Sequence, residues 1–200
     1  MRKRNAPDSV GVVTYRNRKG VAFYLHQGTT KTGNPRYFMA RNVGDGALSQ
    51  VPSGFEICES INGVVSVRRA GKAVSSVPDE DVAIVARVLA SRRHLDSYKV
   101  QAVSGAIVIF EPYPRPADLQ GFAQMIGMES WSARAIAERI ALARYDPVMK
   151  FERDGNHYSV FRMTYRGHGG WSYPLSSGPL LALARKFLPA VGTEDFFDLT

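Results

Sequence analysis

Residues 62–89 read Asn62-Gly63-Val64-Val65-Ser66-Val67-Arg68-Arg69-Ala70-Gly71-Lys72-Ala73-Val74-Ser75-Ser76-Val77-Pro78-Asp79-Glu80-Asp81-Val82-Ala83-Ile84-Val85-Ala86-Arg87-Val88-Leu89, and the hydrophobic period changes within them. Asn62-Gly63 is a two-residue hairpin signal, and Val64 to Arg69 is a β-branched run suited to a strand. Ala70 to Val77 is a linker of small residues. Ser76 and Pro78 then mark a helix start, and Asp79, Glu80 and Asp81 suit the positive end of a helix dipole. Val82, Val85, Ala86 and Leu89 recur at i, i+3, i+4 and i+7, one helical face. Arg92 and Arg93 suit its C-terminal end.

Upstream of this boundary the chain reads as strands. Gly11 to Tyr15 and Val21 to His26 flank a basic turn, Arg16-Asn17-Arg18-Lys19-Gly20. A second turn, Gly28 to Gly33, leads to Pro35 to Arg41, with proline at the first strand residue, where it is tolerated. Phe55 to Glu59 is a short alternating strand that pairs across Asn62-Gly63. Downstream, Tyr98 to Val103 and Ala106 to Phe110 form a hairpin around Ser104-Gly105, and Pro112 to Pro116 reads as a stiff connector. A helix follows, with Leu119, Phe122, Ala123 and Ile126 on one face and Gly127 as its stop. Ser130 opens the next helix, which is expected to run to about Tyr145. Val148 to Arg153 and His157 to Arg166 make another hairpin around Asp154-Gly155-Asn156. Pro179 opens the last helix, with Leu180, Leu183, Ala184 and Phe187 inward and Pro189 as its stop. Phe196 to Leu199 reads as a hydrophobic tail that docks.

Strands pair with their sequence neighbours, so the sheets are expected to be antiparallel and the class α+β. An antiparallel β-rich part precedes a mixed part with about four helices and two β-hairpins. The division falls as 1–72 and 73–200, two subdomains compatible with packing as one unit.

The formal charge of +8 divides at the same place. Residues 1–72 hold twelve Lys or Arg against four acids, and residues 73–200 hold fourteen of each. A basic segment beside a neutral one points to an acidic partner for the first. The single cysteine, Cys58, admits no internal disulfide and is too few for a cysteine-based metal site. It sits between Glu56 and Glu59, which oppose a lowered thiol pKa, so it reads as a packing thiol. Met1 to Asp8 is basic, with no apolar run after it, and is not a secretory signal. The apolar stretches are too short to cross a bilayer. A cytoplasmic protein without membrane contact is the expectation.

Motifs for nucleotide or metal chemistry are missing from the chain: no P-loop, no G-x-G-x-x-G, no H-E-x-x-H and no C-x-x-C. None of His26, His94, His157 and His168 lies three or four residues from another, so no helical metal pair exists. No metal and no cofactor is implied. His168-Gly169-Gly170-Trp171 looks like the oxyanion loop of lipases, but no G-x-S-x-G serine accompanies it, so it reads as a glycine-rich loop.

Two basic-aromatic clusters remain. The first comprises Arg16, Arg18, Lys19, Lys31, Arg36, Tyr37 and Arg41, with Tyr15 and Tyr24 nearby. A twisted basic sheet with exposed tyrosines could meet phosphates with Arg and Lys and stack a base on Tyr. The structural alternative is a solvated sheet whose tyrosines only pack. Along the third strand Arg36, Phe38 and Ala40 share one face, and Tyr37, Met39 and Arg41 the other. The second cluster comprises Arg162, Tyr165, Arg166, His168 and Trp171. Arg162 and Arg166 would stand about 13 Å apart on one strand face, a spacing for two successive phosphates rather than one. His168 would add a group that titrates near neutral pH.

Several stretches also carry a likeness. Tyr15 to Gly20, Lys31 to Phe38, Val51 to Ile57, Met163 to Gly167 and Phe196 to Leu199 together resemble an uncharacterised family of bacterial proteins. The resemblance implies a bacterial cytosolic protein and carries over no activity and no catalytic residue.

The leading expectation is a non-enzymatic protein that binds nucleic acid or another polyanion through residues 1–72. One alternative is an enzyme acting on an anionic small molecule or phosphoester through Arg162, Arg166 and His168. Another is a protein–protein interaction module. The choice between DNA, RNA and other polyanions, and the oligomeric state, are not encoded in any motif.

Overall fold

Asn17 is the residue on which the first sheet turns. Its backbone N–H donates to the Val21 carbonyl, and the Gly20 N–H returns to the Asn17 carbonyl. Its side-chain Oδ1 accepts from the N–H groups of Lys19 and Val21, the local competition with the ladder that makes asparagine a turn former. In the computed structural model, which describes residues 11–71, 76–125, 133–164 and 170–199, this turn joins β1 (Thr14–Arg16) to β2 (Ala22–Thr29), and β3 (Pro35–Ala40) follows. The three strands form an antiparallel sheet in the order β1-β2-β3. β4 (Phe55–Glu59) and β5 (Val65–Arg69) form a separate hairpin. Where β1 ends, the segment 46–48 takes its place beside β2: the Gln27 N–H donates to the Gly46 carbonyl and the Leu48 N–H to the Leu25 carbonyl.

The chain divides into two compact units, Met1–Lys72 and Ala73–Thr200. The second is built on a five-stranded antiparallel sheet in the order β10-β9-β8-β7-β6. Its elements are α1 (Asp79–Ala90), β6 (Lys99–Val103), β7 (Ala106–Tyr113), α2 (Pro116–Met125), α3 (Ala133–Ala141), β8 (Arg144–Asp154), β9 (His157–Arg162), β10 (Ser176–Gly178) and α4 (Leu180–Phe187). The architecture is α+β with antiparallel sheets throughout the described residues.

The core of the second unit lies between one face of the sheet and the pair α1–α4. Ile107, Ile109, Met149, Phe151 and Val160 of the sheet meet Val85 and Leu89 of α1 and Leu180, Leu183, Ala184 and Phe187 of α4. Burial of each of these side chains larger than alanine contributes about 1.5–3 kcal/mol. Tyr158 on β9 donates to Asp81 in the first turn of α1 at 2.6 Å. Tyr98 donates to the buried Glu111 at 2.5 Å.

Several elements depart from the pattern read along the chain. α3 ends at Ala141, not near Tyr145, and Tyr145 is a buried residue of β8. Arg144 and Tyr145 are instead paired with Tyr113 and Pro112 of β7, and Pro147 adds that Asp146, the residue before it, is driven out of helical geometry. This proline sits at the register shift where Met149 faces Ile109 and Pro147 faces Phe110. A bulge tolerates proline, because the ladder bond that it cannot make is already missing there. Pro112 lies inside β7, not in a connector. β6 ends opposite Phe110, so at Pro112 the strand has a partner on one side alone. β10, a Ser-Ser-Gly edge strand, carries no strand signal of its own and is held by β9, with a Ser159–Ser177 hydroxyl contact of 2.7 Å. Residues 126–132, which include Ile126, Gly127 and Ser130, lie outside the described residues. β9 ends at Arg162 and is extended by a bridge between Met163 and Trp171.

Candidate functional site

The basic turn is fixed by the β4–β5 hairpin. Glu59 accepts from the Tyr15 hydroxyl at 3.0 Å and from the Arg18 N–H at 2.9 Å. The Asn17 Nδ2 donates to the Gly63 carbonyl at 2.7 Å. Hydrogen bonding to the Glu59 carboxylate, reinforced by burial, raises the Tyr15 phenol pKa above its ordinary value. Arg16 closes the loop by donating to the Gly20 carbonyl at 2.7 Å. The turn is therefore an ordered platform that carries an exposed Arg16 and a half-exposed Arg18 and Lys19.

Strand register decides which side chains share a face. Arg16 pairs with Ala22, Tyr24 with Ala40, His26 with Phe38 and Gly28 with Arg36. Directly paired residues point the same way, and alternate residues of a strand do too. Arg16, Tyr24, His26, Phe38 and Arg36 therefore stand on one face. The opposite face carries Tyr15, Leu25 and Tyr37, and it is turned to the β4–β5 hairpin. There Tyr37 packs edge-on against Phe55, with ring centroids 4.8 Å apart. The ring expected to offer a stacking surface is thus turned inward. The outward aromatic is Phe38, 38% exposed and stacked on His26 at 5.5 Å. Gly28 leaves room for it, since a Cβ there would stand 3.3 Å from the Phe38 ring.

The basic residues gather at the two ends of β2. Arg16, Arg18 and Lys19 belong to the turn before it, and Arg41 follows the end of β3 that pairs beside Tyr24. Lys31 and Arg36 lie at the other end. From Ala22 to Gly28 is about 20 Å along the strand. Lys31, Arg36 and Arg41 are exposed, and no ion pair engages them among the described residues. Both glutamates of this unit are placed elsewhere: Glu59 is bonded under the basic turn, and Glu56 pairs with Arg68 at 2.6 Å on the hairpin. Asp45, in the loop after β3, is the remaining acid of residues 11–71.

The second expected cluster is not brought together by the residues described. Tyr165, Arg166 and His168 lie outside them. Arg162 and Trp171 stand on opposite sides of the sheet. Arg162 pairs with Met149 on the helix-covered face and donates from Nε to the Leu199 carbonyl at 3.1 Å. Trp171 lies by Lys150, whose ammonium is 5.2 Å from its ring and 4.4 Å from that of Phe161. Lys150 also pairs with Glu152.

A cleft that no sequence pattern marked opens between the end of β7 and the C-terminal segment, with a volume of about 410 Å³ counting its open mouth. Glu111, Arg115, Met163, Thr193 and Phe196 line it. Its charged groups are already engaged. Glu111 accepts from Tyr98, and Arg115 pairs with Asp118 at 2.9 Å, which raises the guanidinium pKa further. Cys58 contacts the Ser66 hydroxyl at 3.1 Å. Among the described residues no group of three or more His, Cys, Asp or Glu is placed to hold a metal ion, and no helix is long and apolar enough to cross a membrane. Comparison with protein-family models, with curated proteins and with solved structures gave no match.

Proposed function

We propose that the protein binds a polyanion, nucleic acid in the first instance, on the face of the β1–β2–β3 sheet that carries Arg16 and Arg36, in the bacterial cytoplasm. The observation that supports this reading most is the separation of charge within the first unit. Its glutamates are bonded at or within the β4–β5 hairpin, while basic side chains stand at both ends of β2 with Phe38 between them. About 20 Å of strand matches roughly six nucleotides at a 3.4 Å rise per strand. That lies within the site size of small sheet-based single-strand binders. Lys and Arg would meet phosphates without reading sequence, and Phe38 would stack a base.

Fluorescence anisotropy with a labelled single strand and a duplex, at about 50 and about 200 mM salt, tests the reading. The single strand should bind more tightly, with affinity falling steeply as salt rises. Replacing Arg16, Lys31 and Arg36 together with glutamine should weaken binding at least tenfold. Absence of binding at the lower salt ends the proposal, and an unchanged affinity in the threefold variant removes the surface from it.

A further inference from the structure

The zero net charge of the second unit conceals a local excess. α1 and α4 pack side by side, and a groove of about 860 Å³, counting its open mouth, runs between them. On α1 the stripe Ile84, Arg87, Val88 and Ser91 follows i, i+3, i+4, i+7, next to the buried Val85 and Leu89. On α4 Leu181 and Arg185 are one turn apart, beside the buried Leu180 and Ala184. Arg92, just past the C-terminal end of α1, lines the groove too. The floor is thus apolar and the rim is three arginines.

Helix-end arginines ordinarily answer the dipole, and Arg87 and Arg185 lie in last turns. That accounts for each of them singly and not for their convergence, with Arg92, on a half-exposed apolar strip. Pairing within the helices is also ruled out by the sequence. The positions three and four away from Arg87 are Ala83, Ile84, Ala90 and Ser91, and those around Arg185 are Leu181, Ala182, Leu188 and Pro189. Among the described residues no ion pair involves Arg87, Arg92 or Arg185. Three exposed guanidinium groups around Ile84, Val88 and Leu181 complement one kind of surface: carboxylates flanking large apolar side chains. A phosphate backbone would satisfy the arginines and leave the floor uncovered.

We infer that the α1–α4 groove is a docking site for an acidic amphipathic segment of a partner protein, one with apolar side chains at helical spacing and Asp or Glu beside them. Apolar anchors would fill the floor over Val88 and Leu181, and arginine–carboxylate pairs would fix register and speed encounter. This site is separate from the proposed polyanion surface and stands without it.

The probe is a labelled synthetic peptide of about 14 residues, Leu at i, i+3, i+4 and i+7 with Glu on both flanks, measured by anisotropy against the full chain. The expected result is saturable binding that weakens at least tenfold in Arg185→Glu and in Arg87→Glu. It should also weaken at least tenfold when the peptide is scrambled to the same composition. Leu181→Glu should act likewise, and far-ultraviolet circular dichroism verifies that each variant folds. Equal binding of the scrambled peptide, or unchanged affinity in Arg185→Glu, overturns the inference. A labelled single-stranded oligonucleotide that loses affinity on Arg87→Glu while the peptide does not also overturns it. The Arg16→Gln, Arg36→Gln variant should keep the peptide affinity within about twofold, and a tenfold loss there overturns the placement.

Discussion

Asn17 and Gly63 meet across 46 positions of sequence: the amide Nδ2 of the first donates to the carbonyl of the second at 2.7 Å. The contact is close on both sides. Gly63 has φ +79°, and a Cβ built on it would stand 3.1 Å from that same nitrogen. The hairpin turn and the basic turn therefore constrain each other.

The first prediction concerns this pair. Asn17→Ala leaves a buried carbonyl and two N–H groups without their partner and should cost about 1–3 kcal/mol. Gly63→Ala should cost about 1–2 kcal/mol for the left-handed backbone, plus a steric part that vanishes once Asn17 is gone. Urea melts of the two single variants and the double variant measure the coupling, and strict additivity would mean that the two turns do not constrain each other. Because the turn carries Arg16, Arg18 and Lys19, Asn17→Ala should also weaken polyanion binding a few-fold, short of the loss from removing the charges.

The second prediction separates the neighbours Tyr37 and Phe38. Phe38→Ala removes an exposed ring and should change stability by less than about 1 kcal/mol. It should weaken single-strand binding about tenfold, the size of one lost base stack. Tyr37→Ala should do the reverse in stability, at about 2–4 kcal/mol, because its ring packs against Phe55. If Phe38→Ala binds as the parent does, the outward face does not stack bases.

These neighbours also show where the sequence was legible. Alternation divided the third strand into two faces correctly, but which face turns outward depends on β4 and β5 packing from about 20 residues away. No pattern within 35–40 carries that information. α4 was legible in full because its four inward residues follow the 3.6 period without interruption, and all four are buried. β10 was illegible because Ser176-Ser177-Gly178 has no apolar face and is a strand through its partner alone. The arginine groove was hidden for a different reason. Net charge sums over a whole surface, and the acids that cancel these arginines, such as Asp118, Glu138 and Asp146, pair elsewhere.

The third prediction follows from the Tyr158–Asp81 hydrogen bond. Burial, with the neighbouring carboxylate, raises the Tyr158 pKa well above the phenol's ordinary value of 10.0. A raised pKa in the fold means that the neutral phenol is favoured there, so its stabilising share is complete below pH about 10. As pH rises beyond that, the unfolded chain releases the proton first, and folding stability falls until the folded phenol also ionises. Thermal melts between about pH 9 and about 11.5 should show Tm dropping, and Tyr158→Phe should flatten the alkaline part of that drop. An identical slope in the variant would assign the loss to other groups.

The fourth prediction lies at a second buried phenol, Tyr98. Tyr98 donates to Glu111, and its hydroxyl rests against Gly192, where an added Cβ would come within 2.6 Å of that oxygen at φ +79°. Gly192 is thus required twice, by its backbone conformation and by the volume of Tyr98. Gly192→Ala should destabilise the fold by about 2 kcal/mol or more. In a Tyr98→Phe background the closest contact is gone, while the backbone strain remains, so the same substitution should cost about 1 kcal/mol less. Tyr98→Phe alone should cost about 1–3 kcal/mol, because it removes a donor from a carboxylate that is only 7% exposed. Denaturant melts of the parent, the two single variants and the double variant resolve these shares. An undiminished cost of Gly192→Ala in the Tyr98→Phe background would mean that backbone conformation alone demands the glycine, with the hydroxyl free to move aside.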